Sequence, residues 1–216
     1  YIILSSYIFW KKHVENYSII SNIFTGMFCT LTKCVECENI TVKFSSFTNL
    51  SISIPEHGQV SIEKCLENFS MEERIDGENK IQCEECNKKT AAIRTMLIWE
   101  LPEILIIHLK RFVVTQHGTR KVHTLVNFPL DDLSLSNCQI GWHDANTKYK
   151  LYAISEHRGG YGSGHYVSYC HNSVTMKWYE FNDDDVFFIP DEDVKKEIVT
   201  PHAYMMFYVK QNNSSE

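Results

Sequence analysis

Between Thr41 and Ile54, apolar and polar residues alternate, first in Thr-Val-Lys-Phe and again in Leu-Ser-Ile-Ser-Ile. That two-residue period predicts two strands with one buried face each. The period then changes. Ile62, Cys65, Leu66 and Phe69 recur three or four residues apart behind Ser61, which predicts a short helix with Ser61 as N-cap. It gives out before the acidic, Gly-containing turn at Glu72 to Glu78. Residues 95–99 and 104–109 are apolar, β-branched runs broken at Leu101-Pro102, the pattern of buried sheet. Residues 116–120 form a polar turn around Gly118, either a hairpin or an exposed loop. Four more strands are expected at 149–155, 166–170, 177–181 and 203–210. Residues 7–25 mix apolar and polar positions at roughly helical spacing, and the polar tail 211–216 is expected to be disordered. Strands outnumber helices and no repeat is present, so the expected class is a β-rich α+β chain.

Composition narrows the partners. With 216 residues, 44% hydrophobic and 22% charged, the chain can form one fair-sized domain or two small ones. A formal charge of −6 argues against nucleic acid as the main partner, because phosphate binding needs a basic face. It suits a basic partner, or is simply a solvated acidic surface. The apolar stretch Tyr1 to Trp10 is too short to span a bilayer and lacks the marks of a signal peptide. No membrane partner is expected, and the start is read as a truncation because no initiator Met is present. The Asn-x-Ser/Thr sequons at Asn39, Asn49 and Asn68 carry no meaning without secretion.

Eight cysteines divide into two groups. Cys34-x-x-Cys37 and Cys83-x-x-Cys86 are paired, while Cys29, Cys65, Cys138 and Cys170 stand alone in settings typical of small buried hydrophobes. Paired CxxC motifs without a secretory signal favour a reducing compartment, hence an intracellular protein, cytoplasmic and/or nuclear. Two such knuckles supply four soft ligands for tetrahedral Zn²⁺, a closed and therefore structural site. The 45 residues between them exceed a compact ribbon, so strands and the Ser61 helix must bring them together. Reduced structural thiols are the alternative. A redox pair fits less well, since neither CxxC opens a helix after a strand.

The remaining chemistry lies near the C-terminus. His165 stands in Gly164-His165-Tyr166 behind the glycine-rich approach 159–164, and Asn182-Asp183 follow seventeen residues after it. A histidine with a downstream amide or carboxylate is two thirds of a cysteine-protease triad, in which imidazole deprotonates a thiol and its partner fixes the tautomer. An ordinary surface or core histidine remains the bland alternative. Asp183-Asp184-Asp185 reads as a metal or capping cluster or as a solvated turn. His108 and His157 are read as structural or substrate-lining. No cysteine sits in a setting suited to a nucleophile.

Taken together these segments resemble the ubiquitin-specific proteases, papain-like deubiquitinases. The resemblance is carried by Ile23-Phe24-Thr25-Gly26 with Cys34-Val35-Glu36-Cys37, by Cys65-Leu66-Glu67-Asn68-Phe69 before the second CxxC, and by the run from Leu101-Pro102-Glu103 through His108-Leu109-Lys110-Arg111-Phe112. Val126-Asn127-Phe128-Pro129-Leu130, Tyr149-x-Leu151-Tyr152-Ala153-Ile154-x-x-His157 and Gly164-His165-Tyr166 follow. Trp178-x-x-Phe181-Asn182-Asp183-x-x-Val186 and Ala203-Tyr204-x-x-Phe207-Tyr208 complete the order over about residues 21–210.

The resemblance implies a hand-shaped fold: fingers with a zinc ribbon over 21–98, a β-rich palm over 99–210, and a helical thumb of which residues 1–20 are a remnant or a non-native start. It implies ubiquitin and ubiquitinated proteins as partners. The general-base role falls to His165, the third triad position to Asn182 and a supporting carboxylate to Asp183. Phe112, His157, Gly164 and Tyr166 would lie against the ubiquitin tail, and Cys34, Cys37, Cys83 and Cys86 would hold structural Zn²⁺. The departure is the nucleophile. The family's Gly-Asn-x-Cys box is absent from these residues, so the expectation is the fingers and palm of a deubiquitinase without its thumb. The alternatives are a ubiquitin-binding pseudoenzyme, or a zinc-ribbon module for another partner.

Overall fold

The computed structural model describes residues 18–116, 118–140 and 147–211; the start of the predicted helical stretch 7–25 and the tail 212–216 lie outside them. Ser18 caps α1 (Ile19–Phe24) in a capping box with Ser21. The chain divides into two compact units. The first is built from the described residues up to Thr48, from Glu67–Pro102 and from 137–140. The second takes Asn49–Leu66, Glu103–Ser136 and the described residues from 147 on.

In the first unit, β1 (Gly26–Cys34) pairs antiparallel with β2 (Ile40–Phe47). The second unit then takes β3 (Leu50–Ser53), β4 (Gln59–Ser61) and the start of α2 (Ile62–Phe69). Ser61 Oγ accepts from the backbone N–H of Lys64 at 3.2 Å, and Ile62, Cys65 and Leu66 are buried. The helix therefore starts where the change of period places it. Back in the first unit come β5 (Glu73–Ile75), β6 (Ile81–Cys83), β7 (Lys88–Thr90) and β8 (Ala92–Glu100). The main sheet there runs in the order β2-β1-β8-β5, with β6-β7 as a separate ribbon. Met27, Cys29 and Phe44 form its core, with Leu31, Val42, Trp99 and Ile140 against them. Phe44 meets Trp99 edge-on at 5.2 Å, a favoured aromatic geometry.

The second unit continues with β9 (Ile104–Lys110), β10 (Phe112–Thr115), β11 (Gly118–Lys121), β12 (Leu125–Asn127) and β13 (Leu133–Ser134). Then follow β14 (Lys148–Gly160), β15 (Ser163–Asn172), β16 (Lys177–Asn182), β17 (Asp185–Ile189), α3 (Val194–Ile198) and β18 (Ala203–Lys210). Its large sheet runs β17-β16-β15-β14-β18-β9-β3, with β13 on β14. Only the β3–β9 pair within it is parallel. Leu50, Ile52, Leu105, Ile107, Leu109, Leu151 and Met206 are fully buried under it. Tyr208 is also buried, and its hydroxyl donates to the Pro129 carbonyl at 2.7 Å.

One element departs from its sequence expectation in a way that shapes the site. The strands expected to end at 155 and begin at 166 instead run on to Gly160 and from Ser163, leaving a two-residue turn. Glycine makes this possible. Gly159 has φ +124°, and a Cβ there would lie 2.6 Å from Gly164 Cα. The strands approach closer than side chains allow.

Candidate active site

The site is set by the register of β14, β15 and β16. His165 opposes Arg158 and Gly164 opposes Gly159 across β14–β15, while Ser168 opposes Phe181 across β15–β16. With the two-residue alternation of strands, this places His165 and Asn182 on the same face of the sheet. Their side chains meet: His165 Nε2 lies 2.6 Å from Asn182 Oδ1. An amide oxygen can only accept, so Nε2 carries the proton and Nδ1 is left as the basic ring nitrogen. Asp183 holds the first position of the turn between β16 and β17 with φ +52°, a conformation Asp tolerates. Its carboxylate stands 4.0 Å from His165 Nε2 and is four-fifths exposed. The imidazole is about half exposed, open to a reacting group.

On the other face of the same hairpin lies an aromatic cluster. His157, directly opposite Tyr166, is buried with its ring 4.8 Å from the Tyr166 ring. Phe112 packs edge-on to His157 at 5.6 Å, to Tyr161 at 6.0 Å and to Tyr204 at 6.1 Å. His108 meets Tyr204 at 4.8 Å. Tyr161 and Tyr166 are exposed, so the cluster offers an apolar, partly polar-edged shelf on the face of the hairpin opposite His165. The structure thus brings Phe112, His157, Gly164 and Tyr166 together. Tyr161, from the glycine-rich approach, and Tyr204 belong with them as well. Tyr204 stands in the sequence as part of a strand and of the last motif of the family's order, without a role of its own, and nothing local in sequence ties it to Phe112.

Beneath the shelf is a buried ionic group. Arg111 is fully buried; its Nε donates to the Ala203 carbonyl at 2.5 Å and one terminal nitrogen donates to the carbonyls of Val122 and Thr124 at 3.1 and 2.9 Å. Burial pulls its pKa down to about 10, against the opposing pull of Glu156. Glu156, also fully buried, accepts from Arg158 and from the Thr200 hydroxyl. Lys121 Nζ donates to the His157 carbonyl and to His157 Nδ1, the latter at 3.0 Å. Burial first, then Lys121 and His202, holds the His157 pKa below its ordinary value.

The four cysteines outside the CxxC pairs have the wrong electrostatics for a nucleophile, which needs a depressed pKa. Burial raises the thiol pKa of Cys29, Cys65 and Cys170, and pushes Cys138 up to about 12.

In the first unit the two knuckles converge. Cys34 ends β1 and Cys83 ends β6; each CxxC is followed by a residue with positive φ, Glu38 (+60°) and Asn87 (+51°), which turns the chain back. The four Sγ atoms all lie within 4.8 Å of one another, with Cys34–Cys86 at 3.9 Å and Cys37–Cys83 at 3.6 Å. A tetrahedral zinc with bonds of about 2.3 Å requires sulfur–sulfur spacings of about 3.8 Å. The donor set fits such an ion. The backbone N–H of Cys37 and the Thr90 hydroxyl lower the Cys34 pKa to about 6, whereas the neighbouring thiols push Cys86 up to about 12 and raise Cys37, so the four cannot all be thiolates without a cation among them.

Comparison with known proteins places this arrangement. The family described as ubiquitin carboxyl-terminal hydrolase matches residues 4–208. The Drosophila melanogaster ubiquitin carboxyl-terminal hydrolase Usp2 is 35% identical over 200 residues, covering 92% of this chain and 21% of that protein. Human ubiquitin carboxyl-terminal hydrolase 2 is 35% identical over 205 residues, 92% of this chain and 33% of its own. The probable ubiquitin carboxyl-terminal hydrolase R319 of Acanthamoeba polyphaga mimivirus is 34% identical over 210 residues, 94% and 44% respectively. Among solved structures, the yeast SAGA DUB module with a mutant Sgf73 superposes with a TM-score of 0.78 at 29% identity, over 91% of this chain and 43% of that one. The SAGA Ubp8/Sgf11/Sus1/Sgf73 DUB module bound to ubiquitin aldehyde gives 0.77 at 28%, over 90% and 43%. The chain belongs to the ubiquitin carboxyl-terminal hydrolase family, as part of a ubiquitin-specific protease catalytic domain. It spans less than half the length of these relatives. Among the described residues, no helix is long and apolar enough to cross a membrane.

Proposed function

We propose that these residues are the fingers and palm of an intracellular thiol-dependent deubiquitinase that releases ubiquitin from protein conjugates. Residues 21–98 supply the fingers and 99–210 the palm, with 49–66 built into the palm sheet. The nucleophilic cysteine belongs to a thumb outside the 216 residues. One observation carries the reading: His165 Nε2 held at 2.6 Å by Asn182 Oδ1, which leaves Nδ1 to act as base.

In this reading Nδ1 of His165 takes the thiol proton, and the thiolate attacks the carbonyl of ubiquitin's terminal glycine. His165 returns the proton to the departing lysine amine, leaving a thioester. It then deprotonates the water that hydrolyses it, and the thiol is regenerated. Asn182 stabilises the imidazolium by accepting its Nε2–H, less strongly than a carboxylate would. Phe112, His157, Gly164 and Tyr166 line the path of the extended tail. The cysteine quartet holds Zn²⁺ as a structural clip with no open position, so the metal takes no part in the chemistry.

The test is to read the native transcript upstream of Tyr1 and assay the encoded protein on ubiquitin–aminomethylcoumarin. A Gly-Asn-x-Cys box and a turnover abolished by His165→Ala are expected. An upstream sequence without such a cysteine, or full turnover in the variant, would sink the proposal.

A further inference from the structure

We propose that Lys121, acting through His157, is a positioning residue for His165; this rests on the assignment of His165 as the general base. Behind Gly164 lies the ring of His157. His157 and Gly164 lie on the same face of the hairpin by register, opposite to the face from which His165 reaches Asn182. A Cβ on Gly164 would stand 2.2 Å from His157 Nε2. The His157 ring is therefore in direct contact with the backbone one residue before His165, and the glycine is a packing requirement.

A buttress works only if it cannot turn. Lys121 Nζ holds His157 at two points, the ring Nδ1 and the carbonyl oxygen. This fixes the ring plane and leaves Nδ1 as an acceptor, so Nε2 carries the hydrogen on the Gly164 side. Both residues are nine-tenths or more buried. Phe112, Tyr166 and Tyr204 close the ring from the remaining sides. Lys121 itself sits on β11 directly opposite Phe112, so the strand that carries the buttress is paired with the one that carries the shelf's Phe112.

The His165–Asn182 contact is short and directional. An ångström of drift in the hairpin backbone lengthens it beyond hydrogen-bonding range. A loosened buttress should consequently lower turnover more than it raises KM, since His157 is buried and the shelf presents the exposed Tyr166 rather than the His157 ring to a substrate.

The experiment uses the longer protein that carries the nucleophile, with ubiquitin–aminomethylcoumarin as substrate. Lys121→Met should lower kcat on the order of tenfold with KM within about twofold. Lys121→Arg keeps the charge and two donors and should recover most of the loss. The double variant Lys121→Met/His157→Ala should be no worse than His157→Ala alone, because the two residues act in series. Unchanged kcat in Lys121→Met, a defect confined to KM, or multiplicative losses in the double variant would each overturn the proposal. Thermal unfolding of each variant identifies a general folding defect, and Lys121→Arg then carries the test. Should His165→Ala itself retain full turnover, the base assignment fails and takes this proposal with it, whereas unchanged kcat in Lys121→Met beside an inactive His165→Ala overturns the buttress alone.

Discussion

Asn182 meets His165 through its amide oxygen at 2.6 Å, while the adjoining carboxylate of Asp183 stands 4.0 Å away and almost fully in solvent. The two neighbours are therefore not interchangeable partners of the imidazole. The amide fixes the tautomer; the carboxylate contributes only a screened charge.

Under the proposed function, Asn182→Ala in the longer protein should lower kcat on the order of 10²-fold, the scale of a lost general-base geometry. Asn182→Asp should keep or raise it, since a carboxylate accepts the same hydrogen and better stabilises imidazolium. Asp183→Ala should change kcat by less than about threefold. Steady-state kinetics on a fluorogenic ubiquitin conjugate separate the three. A collapse in Asp183→Ala with Asn182→Ala unaffected would reverse the assignment.

In the second unit, sequence periodicity found the strands whose one face is buried in the core of that unit. Leu105, Ile107 and Leu109 alternate into it, as do Leu50 and Ile52. It found α2 because Ser61 both ends a strand and caps a helix. It failed at residues 156–165, where glycines read as a loop. There the close approach of Gly159 to Gly164 replaces hydrophobic patterning as the force that sets the pairing. His165 and Asn182 were legible through their place in the family's order of motifs and the chemistry of a triad. Lys121 and Glu156 were not, because a charged residue inside a fold shows itself only by its partners, here 36 residues away for Lys121 and His157; Arg111 and Tyr204 stood in motifs whose pattern assigns them no contact.

The cysteine quartet gives the next expectation. The chain should purify with one zinc ion per molecule by atomic emission. Cys83→Ser should lose the ion, and with it much of the structure of the first unit. Structural zinc sites contribute folding free energy on the order of 10 kcal/mol in small peptides, more than the β6–β7 ribbon of six residues can supply alone. Proteolysis should then cut first within 77–90. A metal-free wild-type protein with an unchanged proteolytic pattern under chelation would show that the thiols are merely reduced neighbours.

Stability should fall with acid in a specific window. Burial, the first cause in each case, holds His108, His157 and His202 below the ordinary histidine value, with Lys121 adding to it at His157 and Lys110 at His108. The unfolded chain binds protons at about pH 6.5, and the folded state binds them only at lower pH. The unfolded state therefore holds more protons in between, so unfolding free energy decreases as pH drops below about 6.5 toward the folded values. Urea unfolding at pH 5.5, 6.5 and 7.5 with saturating zinc should show this slope. In His157→Gln, which cannot titrate, the slope should be shallower; an identical slope in the variant would remove His157 as a contributor.

The cysteines outside the quartet provide the sharpest check on where the nucleophile resides. Cys29, Cys65 and Cys138 are buried, Cys170 is half-buried, and burial raises the pKa of all four. A thiol near 12, as at Cys138, is thiolate to roughly one part in 10⁴ or less at pH 7.5. Iodoacetamide on the zinc-loaded native chain should therefore modify Cys170 slowly and the other three only after denaturation. Ubiquitin vinyl sulfone should form no adduct with residues 1–216, yet should couple to the longer protein at a cysteine outside them. The adduct site, mapped by peptide mass spectrometry, decides the matter. Coupling to any of the eight cysteines here would mean that this chain carries its own nucleophile, and coupling to Cys29, Cys65 or Cys138 would further mean that a buried thiol becomes exposed and ionised when ubiquitin binds.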